Sequence, residues 1–244
     1  MASKAVIAGL IVILIAAILS IVIFVPAKAP VTSPPLATLA VQLTDPAQVP
    51  YGTEALNVNY SSVQVHYIYG NSSGWVNAGG SGSVNLLSLV NLSKTIGSAS
   101  LPVNATIDMA RFNITSSSIM INGTAYPVTI PSQQITVHIK SKGMGSGYTG
   151  LLLDLSPSVA TIYTLNSTIF VMVPSIKAVV VPGLNASSAS LDNEAHINAK
   201  AREQLDSAAP NITITSASLS ANGNSTDFSV TVKDNSNSTV VINH

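Results

Sequence analysis

The most frequent chemistry-bearing pattern in this sequence is Asn-x-Ser/Thr, the acceptor tripeptide for N-linked sugars. The chain contains 34 Ser, 19 Thr and 19 Asn, a composition that would give about four such tripeptides by chance. The excess favours selection for glycosylation; the alternative is that Asn, Ser and Thr merely share loops. The eleven acceptor asparagines are Asn59, Asn71, Asn91, Asn104, Asn113, Asn122, Asn166, Asn185, Asn211, Asn224 and Asn237.

Other candidate sites have simpler structural interpretations. The glycine-rich stretch Lys142–Gly150 precedes a strand-like segment rather than a helix, which predicts a hairpin loop and not a phosphate site. His66 and His138 each lie on the polar face of a predicted strand, and a shared metal site would require these strands to be adjacent. Trp75 is interpreted as a core or loop anchor, with stacking on a glycan as the alternative.

Composition excludes several classes of function. Only 8% of residues are charged, and the 10 Lys and Arg balance 10 Asp and Glu, which excludes a basic nucleic-acid surface. The absence of Cys excludes disulfides, thiolate metal sites and thiol catalysis. No nucleophile-elbow, P-loop, zinc-protease or dinucleotide motif occurs. The sequence therefore predicts a protein that is not an enzyme and needs no cofactor.

The N-terminal segment decides the predicted compartment. Ala5 to Val25 is apolar except for Ser20, and at 1.5 Å per residue it spans roughly 31 Å, about one hydrocarbon core. We expect a single-pass anchor over 5–25, with residues 1–4 in the cytoplasm and the rest outside the cell. A proline-rich spacer, 26–36, would lift the following domain off the bilayer.

Two alternatives to a retained anchor remain open. Ala27-Lys28-Ala29 has the small-x-small form of a signal-peptidase site, although Pro30 follows it. The short basic head that ends in Lys4-Ala5 before Val6 resembles the processing site of archaeal pilin leaders, although Pro26 ends the apolar run early.

Alternation with a period of two residues predicts an all-β ectodomain, a β-sandwich. Residues 56–60, 63–69 and 135–139 alternate in this way, and Asn122-Gly123 predicts a two-residue hairpin. Val84–Val90 fits either a short helix or a strand. Runs that are apolar on both faces suit central strands covered on two sides; they are Leu151–Leu155, Ile169–Val173 and Ala178–Val181.

The C-terminal quarter differs from this pattern. Residues 190–208 predict a short surface helix that Ser190 caps, with Asp192 and Glu194 in its first turn. Strands are predicted over Ile212–Leu219, Phe228–Val232 and Thr239–Ile242. The predicted organisation is a sandwich domain over 37–183, a linker with the helix over 184–210, and a small β module over 211–244.

Several residue patterns are shared with a known domain family. They are Leu43-Thr44-Asp45, Val63-x-Val65, Trp75, Val84-Asn85-Leu86-Leu87-x-Leu89, Leu101-Pro102, Arg111, Pro131-Ser132, Leu153-Asp154-Leu155 with Ser158-Val159, and Pro174. On these residues, 37–183 resembles an uncharacterised family of extracytoplasmic domains of bacterial lipoproteins and archaeal surface proteins. The resemblance implies a transthyretin-like β-sandwich and supplies no catalytic residues.

The ionisable residues of this resemblance are Asp45, Arg111 and Asp154. They could form a ligand or cation site at one end of the sandwich. The structural alternative is that Asp45 forms a turn and Arg111 is a buried pairing partner.

These observations predict a non-enzymatic, glycosylated, membrane-anchored surface protein with a structural or adhesive role. One version is a subunit of a pilus-like filament. Its predicted partners are the lipid membrane, N-linked glycans, and other surface proteins or its own copies, which could pair at sheet edges. Because sugars and hydroxyls do not titrate, the low charge fits an acidic exterior, as in an acidophilic archaeon. The alternative class is an extracytoplasmic ligand-binding or sensor module.

Overall fold

The computed structural model of the chain describes residues 33–45, 47–164, 167–208, 212–222 and 225–234. The predicted membrane anchor, 5–25, and the proline-rich segment as far as residue 32 lie outside these residues. Within the described ranges, no helix has the length and apolar character needed to cross a bilayer.

The described chain consists mainly of strands. It also contains one 3₁₀ helix, Leu86–Leu89, and one α-helix, α1, Ala199–Ala208. The strands are β1 Leu36–Thr44, β2 Thr53–Tyr69, β3 Ser72–Gly79, β4 Gly82–Asn85, β5 Leu92–Pro102, β6 Thr106–Ile121, β7 Thr124–Thr129, β8 Gln134–Gly143, β9 Tyr148–Leu155, β10 Ser158–Tyr163, β11 Thr168–Val173, β12 Ile176–Pro182, β13 Glu194–His196, β14 Ile212–Asn222 and β15 Ser225–Asp234.

Two sheets form the sandwich, which confirms the predicted all-β class. The five strands of sheet A have the order β12-β9-β1-β5-β13. Sheet B follows the order β10-β11-β7-β6-β2-β3, with β4 paired to β2 and β8 paired to β6. Their inner faces share one apolar core, to which Leu39 and Leu153 of sheet A and Val58 and Phe112 of sheet B belong.

Strand β2 shows how the sequence produces this core. Leu56 and Val58 are buried at even positions, whereas Val63 and Val65 are buried at odd positions. In a regular strand, even and odd positions face opposite sides of the sheet, so one of these two pairs would point away from the core. Register shifts around Tyr60 in the pairing with β6 insert the extra residue, so one 17-residue strand keeps both sets inside.

The predicted hairpin at Asn122-Gly123 is confirmed. Both residues have positive φ, 49° and 74°, as the tight turn that joins β6 to β7 requires. Val84–Val90, for which two interpretations were open, divides into strand β4 and the 3₁₀ helix.

Two predictions, one about a connection and one about the position of a strand in its sheet, are wrong. The glycine-rich Lys142–Gly150 stretch is not a hairpin loop, because β8 pairs with β6 in sheet B while β9 pairs with β1 in sheet A. It passes from one sheet to the other. Residues 178–181 belong to β12, which is an edge strand rather than a central one. Its apolar character has another cause: Val180 packs in the core, and Val179 packs under α1.

Residues 175–208, here called the C-terminal strap, complete sheet A on both sides. Strand β12 pairs with β9, and β13 pairs with β5 at the opposite edge. Helix α1 then packs Ala201 and Leu205 against Leu152 and Val179 on the outer face. The segment assigned to a linker, 184–210, therefore lies largely against the sandwich.

The predicted helix over 190–208 is too long, because only Ala199–Ala208 is α-helical. Asp192 has φ 59°, which a right-handed helix does not allow. Its N–H donates to the Thr95 carbonyl at 2.9 Å, and its carboxylate pairs with Lys94 at 3.0 Å. Asn198, not Ser190, caps the helix by accepting from the Ala201 N–H at 2.7 Å.

Strands β14 and β15 form an antiparallel hairpin, which confirms two strands of the predicted C-terminal module. The third predicted strand, Thr239–Ile242, lies outside the described residues.

The backbones of β5 in sheet A and β3 in sheet B lie in close contact at Gly97. A Cβ atom on Gly97 would lie 2.6 Å from Gly79 Cα and nearer still to the Ala78 carbonyl oxygen. Backbone rather than a flexible side chain fills this space, so only glycine fits at position 97.

We predict that Gly97→Ala lowers the free energy of unfolding by about 2–4 kcal/mol, because strands β3 and β5 must separate to admit the methyl group. Chemical denaturation with fluorescence detection measures this change. Gly80→Ala is the matched control, since a Cβ there meets nothing within 4 Å, and should alter stability by less than about 0.5 kcal/mol. Equal effects of the two substitutions would contradict the prediction.

Candidate functional site

The acceptor asparagines of the described residues lie mostly at the surface. The exposed members are Asn59, Asn71, Asn91, Asn104, Asn122 and Asn185. Asn113 is half-buried. Its amide donates to Ser62 at 2.8 Å and accepts from Gln134 at 3.1 Å, so both ends of the side chain are occupied. Asn166, Asn211, Asn224 and Asn237 lie outside the described residues.

Backbone geometry explains three of these asparagines. Asn91, Asn104 and Asn122 have φ of 62°, 67° and 49°, a left-handed conformation that Asn tolerates better than most residues. The fold therefore accounts for Asn at these turns without a sugar. The turn does not explain Thr124, the exposed hydroxyl residue that completes the acceptor tripeptide of Asn122.

Asp45 and Asp154, two of the three residues that the resemblance singled out, come together at the end of sheet A. Strands β1 and β9 run parallel with Thr44 opposite Asp154, so Asp45 lies just beyond this pair. Both side chains are buried. Ser156 Oγ donates to Asp154 Oδ1 at 2.7 Å. In the described part of the chain, no group forms a hydrogen bond of good geometry with either carboxyl oxygen of Asp45.

This burial controls the charge of the pair. Loss of solvent raises the pKa of Asp45 from 3.8 to about 8; the backbone N–H of Ala47 partly offsets the shift, and nearby Asp154 adds to it. Burial also raises the pKa of Asp154, although the Ser156 hydroxyl lowers it. Lys177 of β12 and Arg202 of α1 lower it further, and Asp206 of α1 raises it. Asp45 is therefore neutral at pH 7, which suits a proton-holding structural group better than a cation ligand.

Arg111, the third residue, does not join the two carboxyls. It lies on β6 of sheet B between the core residues Ala110 and Phe112. Because neighbouring side chains of a strand project to opposite faces, Arg111 projects from the outer face of the sheet. Its guanidinium carbon stacks 3.7 Å from the centre of the Trp75 ring. The structure therefore separates the expected three-residue site into a buried pair at sheet A and a stacked cation on sheet B.

The two histidines are not on adjacent strands. His66 of β2 and His138 of β8 both lie opposite Met109, on either side of β6. His66 Nδ1 lies 2.7 Å from Asp108 Oδ1, and its ring centre is 5.1 Å from that of Trp75. Among the described residues, no group of three His, Cys, Asp or Glu could hold a metal ion.

The pairing of Trp75 with Arg111 and the His66–Asp108 contact were not predicted. Alternation along β2 placed His66 on the polar face of its strand, and alternation along β6 could have placed Arg111 in the same way. The position of Trp75 beside them depends on the order β3-β2-β6, which no local pattern encodes.

A cavity of about 230 Å³ lies between the C-terminal strap and the outer face of sheet A. Its lining includes Gln42, Leu152, Asn185 and Ser188, and contains no Asp, Glu, Lys or Arg. Gln42 Nε2 donates to the Ser188 carbonyl at 3.1 Å, which holds the strap over the sheet. His196 is the one titratable residue of this lining, which otherwise consists of amide, hydroxyl and apolar groups.

The described residues define a β-sandwich domain with a buried acidic pair at the end of sheet A and a stacked arginine on the outer face of sheet B. Residues 36–174 match the model of the family described as Domain of unknown function (DUF4382), and the chain belongs to this family. The match begins at β1 and ends just before β12. No curated protein and no solved structure matches the chain.

We predict that the protein becomes more stable as the pH falls from 8 to 4. In this range the folded state keeps the Asp45 proton that the unfolded chain releases, because the folded pKa is about 8 and the unfolded value is 3.8. The free energy of unfolding should rise by roughly 1 kcal/mol for each pH unit of acidification. Urea denaturation at pH 4, 6 and 8 measures the slope.

Asp45→Asn tests the assignment, because an amide mimics the neutral acid at every pH. It should reduce the slope and make the protein more stable than the wild type at pH 8. Glu203→Gln, on the exposed face of α1, is the matched control and should leave the slope unchanged. Equal slopes in the wild type and Asp45→Asn would assign the pH dependence to other groups.

Proposed function

We propose that this protein is a non-enzymatic, membrane-anchored cell-surface protein whose glycosylated β-sandwich has a structural or adhesive role. In this proposal residues 5–25 cross the membrane, and the sandwich faces the exterior. The observation that carries the proposal is the exposure of six acceptor asparagines on the described surface. Because these side chains are exposed, sugars on them would extend into solvent without displacing the core.

The charge distribution supports an acidic exterior. Charged residues are scarce, and two of the few carboxyls, Asp45 and Asp154, are buried with raised pKa values. A surface kept soluble by hydroxyls and sugars loses nothing when carboxylates protonate. The proposal therefore includes the surface of an acid-tolerant cell, in line with the resemblance to archaeal surface domains.

Self-association is the proposed mode of action, and a surface filament is its most specific version. The C-terminal strand predicted at Thr239–Ile242 would supply an edge for pairing with another chain. Electron microscopy of surface fractions, with antibodies against this protein, distinguishes the versions. Labelled fibres would support a filament subunit, and labelled single protomers would exclude it while leaving the anchored protein in place.

A second candidate function is an extracytoplasmic ligand-binding module. The stacked Arg111 on the outer face of sheet B favours it, because this cation has no carboxylate within ion-pair distance among the described residues.

Glycopeptide mass spectrometry of the native protein tests the proposed glycosylation site by site. We predict sugar on Asn71 and Asn122, which are exposed at turns and followed by exposed hydroxyl residues. Asn113 is the internal control and should be unmodified, since its amide already bonds Ser62 and Gln134. Unmodified asparagines throughout the chain would remove the glycoprotein part of the proposal.

The N-terminal residue of the mature protein distinguishes the three leaders. We expect Met1 or Ala2 in the membrane fraction, because a retained span anchors the chain. A start at Val6 would instead indicate a pilin-type subunit, and a start near Pro30 a secreted protein. N-terminal sequencing of protein from fractionated cells makes the measurement. Recovery of full-length protein from the cytosol would contradict the anchor.

A further inference from the structure

One outer surface of the sandwich concentrates the residue types that this chain uses least. The sequence has one Trp, two Arg and four His. Trp75, Arg111, His66 and His138 all lie on the neighbouring strands β3, β2, β6 and β8 of sheet B. We name these four residues, with Asp108, the outer cluster.

The outer cluster holds its arginine in place. The Arg111 guanidinium carbon is 3.7 Å from the Trp75 ring centre, a stacking distance at which the cation is attracted to the ring face. His66 contacts the same ring, with centroids 5.1 Å apart, and is itself fixed by Asp108 at 2.7 Å. A side chain that is already ordered loses little entropy when it binds a ligand.

The charge of Arg111 is unmatched. The carboxylate in the cluster, Asp108, is within 2.7 Å of His66, and no carboxylate of the described residues lies within 4.0 Å of the guanidinium. Stacking covers a face of the guanidinium and leaves the N–H groups at its edge. These groups form the planar fork that binds a carboxylate through two parallel hydrogen bonds.

The strand-register neighbours of Arg111 are neutral hydrogen-bonding groups. Gln64 on β2 and Thr136 on β8 are its partners in the strand register, and Asn77 on β3 lies opposite Gln64. His138 is exposed nearby. Amide, hydroxyl and imidazole groups suit the several hydroxyls of a sugar, while one unpaired cation suits one carboxylate on each recognised unit.

We propose that the outer cluster is a binding site for acidic sugars of the uronic acid type, with the sugar carboxylate on Arg111 and its hydroxyls on the neutral neighbours. A polyphosphate or nucleic acid would need more cations than the cluster provides. An acidic peptide that adds to a sheet needs a free strand edge, whereas Arg111 lies on β6, which is paired with β2 on one side and with β8 on the other. The proposal depends neither on glycosylation of the chain nor on its anchor.

The only Trp of the chain reports directly on the site. Titration of the full-length, detergent-solubilised protein with tetramers of galacturonate, glucuronate and mannuronate should change Trp75 fluorescence saturably for at least one of them. The matching methyl ester, which keeps the hydroxyls and loses the charge, should bind at least tenfold more weakly. No saturable change with any of the three acids, or equal binding of acid and ester, would overturn the proposal.

Variants separate the site from general surface effects. Arg111→Gln should weaken the same titration at least tenfold, while Arg202→Gln, which removes the other arginine, should leave it unchanged. Unaltered binding by Arg111→Gln would overturn the proposal, as would tighter binding of a glutamate hexapeptide than of any uronate. If Arg111→Gln does not fold, the acid and ester comparison on the wild type still decides.

Discussion

The parallel pairing of β1 with β9 is the contact on which the rest of this structure depends. These strands are more than a hundred residues apart in the chain, yet β1 lies at the centre of sheet A and β9 beside it. Their register faces Leu43 and Leu153 into the shared core. The same register brings Asp45 beside Asp154, and it presents Leu152 to α1 on the outer face. Both the buried acidic pair and the docking of the C-terminal strap follow from this one alignment.

The class of fold could be predicted from the sequence because apolar residues that face the core alternate with polar residues along the strands. Leu56, Val58, Val63 and Val65 mark the core face of β2 without any knowledge of its partners. The Asn122-Gly123 turn was equally local, since positive φ at both residues needs only these two side chains. Bulges, strand order and edge positions could not be predicted, because they depend on which strands meet.

Residues 190–198, which were predicted to be helical and are not, show how local patterns mislead. Ser190, Asp192 and Glu194 have the residue types of a capped first turn. In the folded protein, Asp192 and Asn193 instead bond the backbone of Thr95 on β5, and Lys94 pairs with the Asp192 carboxylate. Hydrogen bonds and an ion pair to the distant strand β5 thus replaced the contacts that a local helix would have formed. The same limit applies to the candidate site. The family resemblance singled out Asp45 and Asp154, but the stacking of Arg111 on Trp75 could not be predicted without the order of the strands in sheet B.

The placement of the C-terminal strap has a consequence for how the family's unit of folding is defined. The matched region stops at residue 174, but both edge strands of sheet A, β12 and β13, come after it. A polypeptide ending at Pro174 would expose the backbone edges of β9 and β5 and the apolar side chain of Leu152. Bare edges of this kind recruit strands from other molecules. The folding unit of this protein therefore extends beyond the family boundary at residue 174 and includes the C-terminal strap.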